Sequence, residues 1–215
     1  MRASHPLALV LFVVIASTVS GCAIGHKQDF SNLPAALTYT GNDTLAVAVD
    51  DRRPYVLDDD KPASFVGLQR GTYGVPFNVL TQSGAPLAVD MSRSLAATFD
   101  AAGFSAEIVP TVIGEDAGDA RARLLVARPH RGVLLTLDQW ETDTYKRGTL
   151  KYALTLAVYD TTGKTLAAER TQGREELGGS LINPAGHART AVEAAFKRML
   201  SALLDTPAVA KALAR

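Results

Sequence analysis

The stretch that decides the fold is 44-TLAVAVDDRRPY-55. Leu45, Val47 and Val49 alternate on one face, and Ala46 and Ala48 fill the other. A run apolar on both faces reads as a strand inside a covered sheet. It stops abruptly at the charged 50–53 segment. Nucleotide-binding α/β layers carry a glycine-rich turn at that position; DDRRPY is neither GxGxxG nor a phosphate loop. The same residues therefore point to an α/β layer and argue against a dinucleotide or ATP enzyme.

Working outward toward the C-terminus, residues 52–85 are rich in glycine, proline and aromatic rings and carry no sustained period. They are expected to form a long loop, a feature that in compact domains is more often functional or mobile. Pro86 then opens a helix over 86–102, with Leu87, Met91, Leu95, Phe99 and Ala102 on one stripe. The run FSAEIVPTV, 104–112, reads as a second strand, and 116–127 as a short helix stopped by Pro129. In GVLLTLDQW, Val133, Leu135 and Leu137 share a face; in LKYALTLAVYD, Tyr152, Leu154, Leu156 and Val158 do so. TDTYKRG joins these strands as a hairpin, and DTTGK leads to a third antiparallel strand from Thr165. The last main helix is expected over 187–204, with Val192, Phe196, Met199 and Leu203 inward, and Pro207 ends it before a short tail helix. The order predicts a single α/β domain over 44–215. Its mixed β-sheet carries a C-terminal antiparallel meander, and helices pack mainly on one face.

The other direction leads to the N-terminus. Arg2 and His5 precede an apolar run from Leu7 to Ala16, followed by small residues and then VSGC with Cys22, the single cysteine. A basic start, a short greasy centre and small residues form the layout of a secretory signal. The apolar run is shorter than the roughly 20 residues of a bilayer span. Val19-Ser20-Gly21-Cys22 resembles the lipobox of bacterial lipoproteins. That resemblance implies a signal peptide over 1–21, acylation (palmitate or a similar chain) at Cys22, and attachment to a lipid bilayer. Two or more acyl chains make a stable anchor where one is marginal. In the lipoprotein sorting pattern that this segment resembles, Ala23, being other than aspartate, implies the cell outer membrane, with the domain facing the periplasm. Residues 22–43 are expected to be a flexible tether, with an edge strand over 36–39.

Charge and composition bound the chemistry. The 215 residues carry 22 basic and 22 acidic side chains, and no basic stripe with interleaved aromatics marks a nucleic-acid partner. His26, His130 and His187 lack metal-ligand spacing, and Asp58, Asp59 and Asp60 lack the pattern of a calcium loop. No metal, cofactor or catalytic residue is assigned: there is no GxSxG elbow. Glu141 and Asp143, at i and i+2 on a hairpin, are the least implausible pair for hydrolysis of a cell-wall or lipid substrate. The long loop offers three guanidinium groups among four rings, and such a mixture is typical of protein contacts. Arg52, Arg53, Tyr55, Phe65, Arg70, Tyr73 and Phe77, with Trp140 near the hairpin tip, are thus candidate partner-binding residues. The opposing reading is that the rings pin the loop and the arginines pair with neighbouring acids.

Residues 45–215 resemble the YajG-type family of proteobacterial lipoproteins. The resemblance rests on the lipobox, the VAV-like first strand ending in an arginine-containing segment, the PLAVDMSRSLAATFDAAGF-like helix and the LKYALTLAVYD-like strands. It implies an outer-membrane lipoprotein with no established catalytic residues. The expected function is a non-catalytic binding or assembly module docking an envelope protein or another copy of itself. An auxiliary role in envelope transport and a hydrolytic enzyme are the alternatives. Metabolic labelling with a clickable fatty acid is expected to mark the wild-type protein. Cys22→Ala should abolish the label, and a fully labelled Cys22→Ala protein would sink the lipoprotein reading.

Overall fold

The computed structural model describes residues 26–180 and 182–213; the expected signal peptide and Cys22 lie outside them. Eight strands form one mixed sheet: β1 (Lys27–Gln28), β2 (Thr44–Asp51), β3 (Phe65–Arg70), β4 (Pro76–Thr81), β5 (Ser105–Ile108), β6 (Arg131–Thr144), β7 (Gly148–Tyr159) and β8 (Thr165–Gly178). Five helices accompany them: α1 (Pro54–Leu57), α2 (Leu87–Ala101), α3 (Ala117–Val126), α4 (Pro184–Leu204) and α5 (Pro207–Leu213). The α/β class, the mixed sheet, the C-terminal meander and the predominance of helices on one face are as expected. The larger core lies between the sheet and α2, α4 and α5. The opposite face carries a small cluster of Ala46, Ala48, Ala120, Leu124 and Leu134 under α3. Two-sided cover explains why β2 is apolar throughout.

Strand β6 organises the sheet. One edge pairs along its whole length with antiparallel β7. The other edge is divided: its first half pairs with parallel β2, from Leu45↔Arg131 to Asp51↔Leu137, and its end with parallel β3, from Gly67↔Thr142 to Gln69↔Thr144. Between the halves the register against β7 shifts, Leu137 facing Leu154 and Gln139 facing Ala153. Asp138 is thus the extra residue of a bulge, and it reverses side-chain parity. Before it Val133, Leu135 and Leu137 point into the core; after it Trp140 does. Gly67 is required where β3 meets β6, because a Cβ there would lie 2.1 Å from the Thr142 hydroxyl.

Three expectations are corrected. The 52–85 segment is not a long loop: it folds into α1 and the β3–β4 hairpin, its turn containing a single 3₁₀ turn at Thr72–Gly74. Its alternation is obscured because β3 and β4 are six residues each and bulged between Phe65 and Gly67. The 104–112 run forms a strand only through Ile108; Pro110 cannot donate to a ladder, and the chain turns away. Third, from His26 onward the 22–43 stretch is not a tether. Strand β1 sits at the edge, 36–39 is no strand, and the segment is laid between α2 and α4.

Side chains that look like a polar helix face hold that strap in place. Ser94 Oγ donates to Phe30 O and accepts from Leu33 N at 2.8 Å; Thr98 Oγ1 accepts from Ala35 N at 3.0 Å. Ser201 Oγ donates to Ala36 O, and Tyr39 donates its hydroxyl to Leu204 O. These bonds satisfy backbone groups that burial would otherwise orphan. Phe30 is fully buried and joins Trp140 and Phe196 in a ring triad. Centroid separations are 5.7, 5.5 and 5.8 Å, and each pair crosses at 87°. Edge-to-face pairs add about 0.5–1.5 kcal/mol each beyond burial. Phe30→Ala is expected to lower unfolding free energy by about 3–5 kcal/mol in a denaturant titration. A wild-type midpoint would instead mean that the segment is a dispensable tether.

Candidate functional site

The candidate residues of the 52–85 segment separate into a buried group and an exposed group. Arg53 is fully buried at the fork where β2 leaves β6 and β3 arrives. Its Nε donates to Asp51 Oδ1 at 2.8 Å and its Nη2 to Asp51 Oδ2 at 2.7 Å. The remaining donors reach Phe65 O and Ala63 O. The guanidinium therefore closes the gap between two strand ends, and it is no contact surface. Tyr55 rests beside it, its ring 5.5 Å from the guanidinium carbon, and donates to Trp140 O at 2.6 Å. Phe65 is buried against the Tyr55 ring at 5.5 Å, with the ammonium of Lys61 5.0 Å from the Phe65 ring centre. Trp140 is fully buried too. Strand β6 continues past it to Thr144, so it sits mid-strand and not near the hairpin tip.

The rest stay closer to solvent. Arg70 makes a two-pronged pair with Asp143, Nε to Oδ1 at 2.8 Å and Nη2 to Oδ2 at 2.6 Å, strapping the β3–β4 hairpin to β6. Phe77 is half-buried over Gly71. Tyr73 is 94% exposed with φ of 69°, an aromatic residue in the left-handed region at the hairpin tip. Glu141 and Asp143 do share a face, as i and i+2 require. Glu141 stands opposite Lys151 and Asp143 is committed to Arg70. Among the described residues no group of three or more His, Cys, Asp or Glu side chains is placed to hold a metal ion. No described helix is long and apolar enough to cross a membrane.

Sequence reasoning missed an apolar cleft. A cavity of about 420 Å³ opens beyond the carboxyl ends of β2 and β5, where α/β sheets commonly receive ligands. Val49 and Asp51 form its floor, the first turn of α2 one wall with Val89, and Ile108, Val112 and Ile113 the other. These last four side chains are 38–54% exposed. The polar groups inside are already occupied: Asp51 by Arg53, and Ser92 Oγ by Ala88 O and Val49 N. The 110–115 wall is fastened by Thr111 Oγ1 donating to Val49 O at 2.7 Å and by Arg52 donating to Glu115 O. Glu115 in turn accepts from Val112 N and pairs with Arg123 at 2.9 Å. The only signal in the chain was the apolar run IVPTVI across Pro110.

Asp50 lies on the opposite face of β2 from Asp51, buried, with no hydrogen bond to either carboxylate oxygen. Arg52 stands 3.7 Å away. Burial pushes the Asp50 carboxyl up to about 6, with Glu115, Asp51 and Asp138 adding to the rise and Arg52 opposing it.

An α/β domain with a curled mixed sheet and an apolar cleft beyond the carboxyl ends of β2 and β5 is the class that these features define. No family model and no curated protein sequence matches the chain. Protein XCC0632 of Xanthomonas campestris has a similar fold, with a TM-score of 0.52 at 13% identity, covering 84% of this chain and 94% of that one. PelC from a dodecamer of Paraburkholderia phytofirmans matches at a TM-score of 0.40 and 11% identity, over 85% of this chain and 94% of that one. Lipoprotein GNA1162 of Neisseria meningitidis matches at 0.28 and 15%, over 77% and 99%. The likeness to XCC0632 is one of fold alone, and membership of the YajG-type family is not shown.

Asp50 yields a pH prediction. Its folded pKa lies above its unfolded value, so the folded state binds the extra proton between about pH 4 and 6. Stability from this group is complete below that window and is lost as pH rises through it, by on the order of 2–3 kcal/mol. Asp50→Asn should remove this decline, making the variant relatively more stable at pH 7.5 than at pH 4. Urea titrations at both pH values check it, and an unchanged difference would refute it.

Proposed function

We propose that this chain is a lipid-anchored, non-catalytic binding module of the bacterial envelope. Cys22 carries the anchor at the outer membrane, and the apolar cleft receives part of an envelope protein or of another copy of the chain. The observation that carries the reading is the cleft's chemistry. Its walls are Val89, Ile108, Val112 and Ile113, and its polar groups are spent on the fold. Such a site suits an apolar side chain and offers no free nucleophile or base. The lipobox and the YajG-type resemblance of 45–215 support the anchored, envelope setting. Burial of Arg53 and Trp140 removes them from the partner surface, while Tyr73 remains available.

A photocrosslinking residue at Ile113, introduced in cells, should give a discrete adduct identifiable by mass spectrometry. Val89→Asp with Val112→Asp should abolish that adduct and leave stability within about 0.5 kcal/mol per substitution, as for other exposed positions. Absence of any adduct from Ile113, or an adduct indifferent to both aspartates, would count against the cleft as the binding site.

A further inference from the structure

One end of the sheet gathers features that neither the cleft nor the core explains. Five strands begin or end there side by side, in the order β4, β3, β6, β7, β8. The pairings Arg70↔Pro76, Gln69↔Thr144, Thr144↔Gly148 and Gly148↔Gly178 bring three tips to the same end: the β3–β4 turn, the β6–β7 turn and the exit of β8. At a spacing of about 4.8 Å they form a row roughly 20 Å wide. The row carries Ile182, 98% exposed, and Tyr73, 94% exposed, the two most exposed large hydrophobic side chains among the described residues. Val75 at 53% and Tyr145 at 44% accompany them. Lys146 and Arg147 lie exposed between these tips, beside Gly178, Gly179 and Ser180, where the surface forms a shallow basic concavity of about 450 Å³. The neighbouring acids Glu175 and Glu176 are paired with Arg198 and Arg174.

The chain's N-terminal path leads to this same row. Strand β1 runs parallel to β4, with Lys27 opposite Leu80, so the chain before it heads toward the β3–β4 tip. His26 is fastened there: its backbone N–H and its Nδ1 both meet Gln69 Oε1, at 3.2 and 2.7 Å. Cys22 precedes His26 by four residues, and an extended chain spans at most about 3.6 Å per residue. Its Cα therefore lies within about 14 Å of the His26 Cα.

We propose that this end of the sheet rests on a lipid bilayer: Tyr73, Val75, Tyr145 and Ile182 enter the interface, and Lys146 and Arg147 meet anionic headgroups. Exposed rings and aliphatic tips flanked by lysine and arginine are the composition that favours the headgroup boundary. The left-handed backbone at Tyr73 aims a bulky ring outward at a turn that a glycine would form without strain. In using Cys22 as the anchor point, the proposal rests on the lipid-anchor reading. A short, fastened leader then holds the domain in one orientation, where a flexible tether would leave it free to tumble.

The test uses the full chain purified from membranes. Acylated Cys22 has no free thiol, so Tyr73→Cys, Ile182→Cys and Lys164→Cys each offer one site for an environment-sensitive fluorophore. Lys164 sits in the turn between β7 and β8 at the opposite end of the sheet. In vesicles of phosphatidylethanolamine and phosphatidylglycerol containing brominated lipid, labels at 73 and 182 should be quenched at least about twofold more than at 164, as expected for tips entering the interface. Equal quenching at all three positions overturns the proposal. Shielding of 73 and 182 without vesicles also overturns it, since a second copy of the chain would then cover them. Mass spectrometry of the N-terminal peptide reads acylation separately. If Cys22 is unmodified, the anchor reading fails by itself, and the same three labels in a Cys22→Ser chain, held at vesicles by its apolar leader, still decide the orientation.

Discussion

Strand β6 has one edge for two different parallel neighbours, and the buried Asp51–Arg53 pair is what makes that arrangement possible. Where β2 departs and β3 has not yet arrived, backbone groups would face an empty fork. Arg53 fills it with donors to the Asp51 carboxylate and to the carbonyls of Ala63 and Phe65. A buried pair of this sort adds little stability against an apolar substitute, but removing one partner costs about 3–5 kcal/mol. Its value here lies in position. It sets where the β3–β4 hairpin sits, and hence where Arg70 meets Asp143 and where Tyr73 emerges.

The bulge at Asp138 is the matching device in the partner strand. Without it, Trp140 would point away from Leu135 and Leu137, and the triad with Phe30 and Phe196 could not form. That triad unites the N-terminal strap, the central strand and α4, segments far apart in sequence. The strap's order has a mechanical consequence, for a domain fastened from His26 is held close to whatever Cys22 is attached to. Under the proposed anchoring at Cys22, the anchor, the hairpin tips and the basic turn would belong to one face.

The cleft and the sheet end hold two separate groups of exposed apolar side chains. The cleft lies beside short edge strand β5, and Val89 and Val112 are available there to another protein chain. The sheet end carries the basic turn and the two most exposed apolar side chains. Strand β8, a 14-residue edge, is guarded by Glu169, Arg170, Arg174, Glu175 and Glu176, and charged edges of this kind resist pairing with other chains.

Periodicity in the sequence was enough for the helix stripes of α2 and α4, the inward residues of β6 before its bulge and of β7, and the α/β class, because each depends on spacing within one element. The lipobox resemblance is likewise local, and Cys22 lies outside the described residues. Beyond that reach lay the pairing partner of Arg53, the reversal of parity at Asp138 and the burial of Trp140, which looked like a hairpin-tip residue. Ser94 and Thr98 lie outside the apolar stripe of α2, and only the strap's backbone, some sixty residues earlier, shows that they are needed inside. The strap itself lacks a period: it is held by single side chains in a groove, and a groove exists only after two helices have packed. The cleft and the common end of the hairpin tips follow from strand order, which residue spacing does not encode; long-range pairing across β6 decided both.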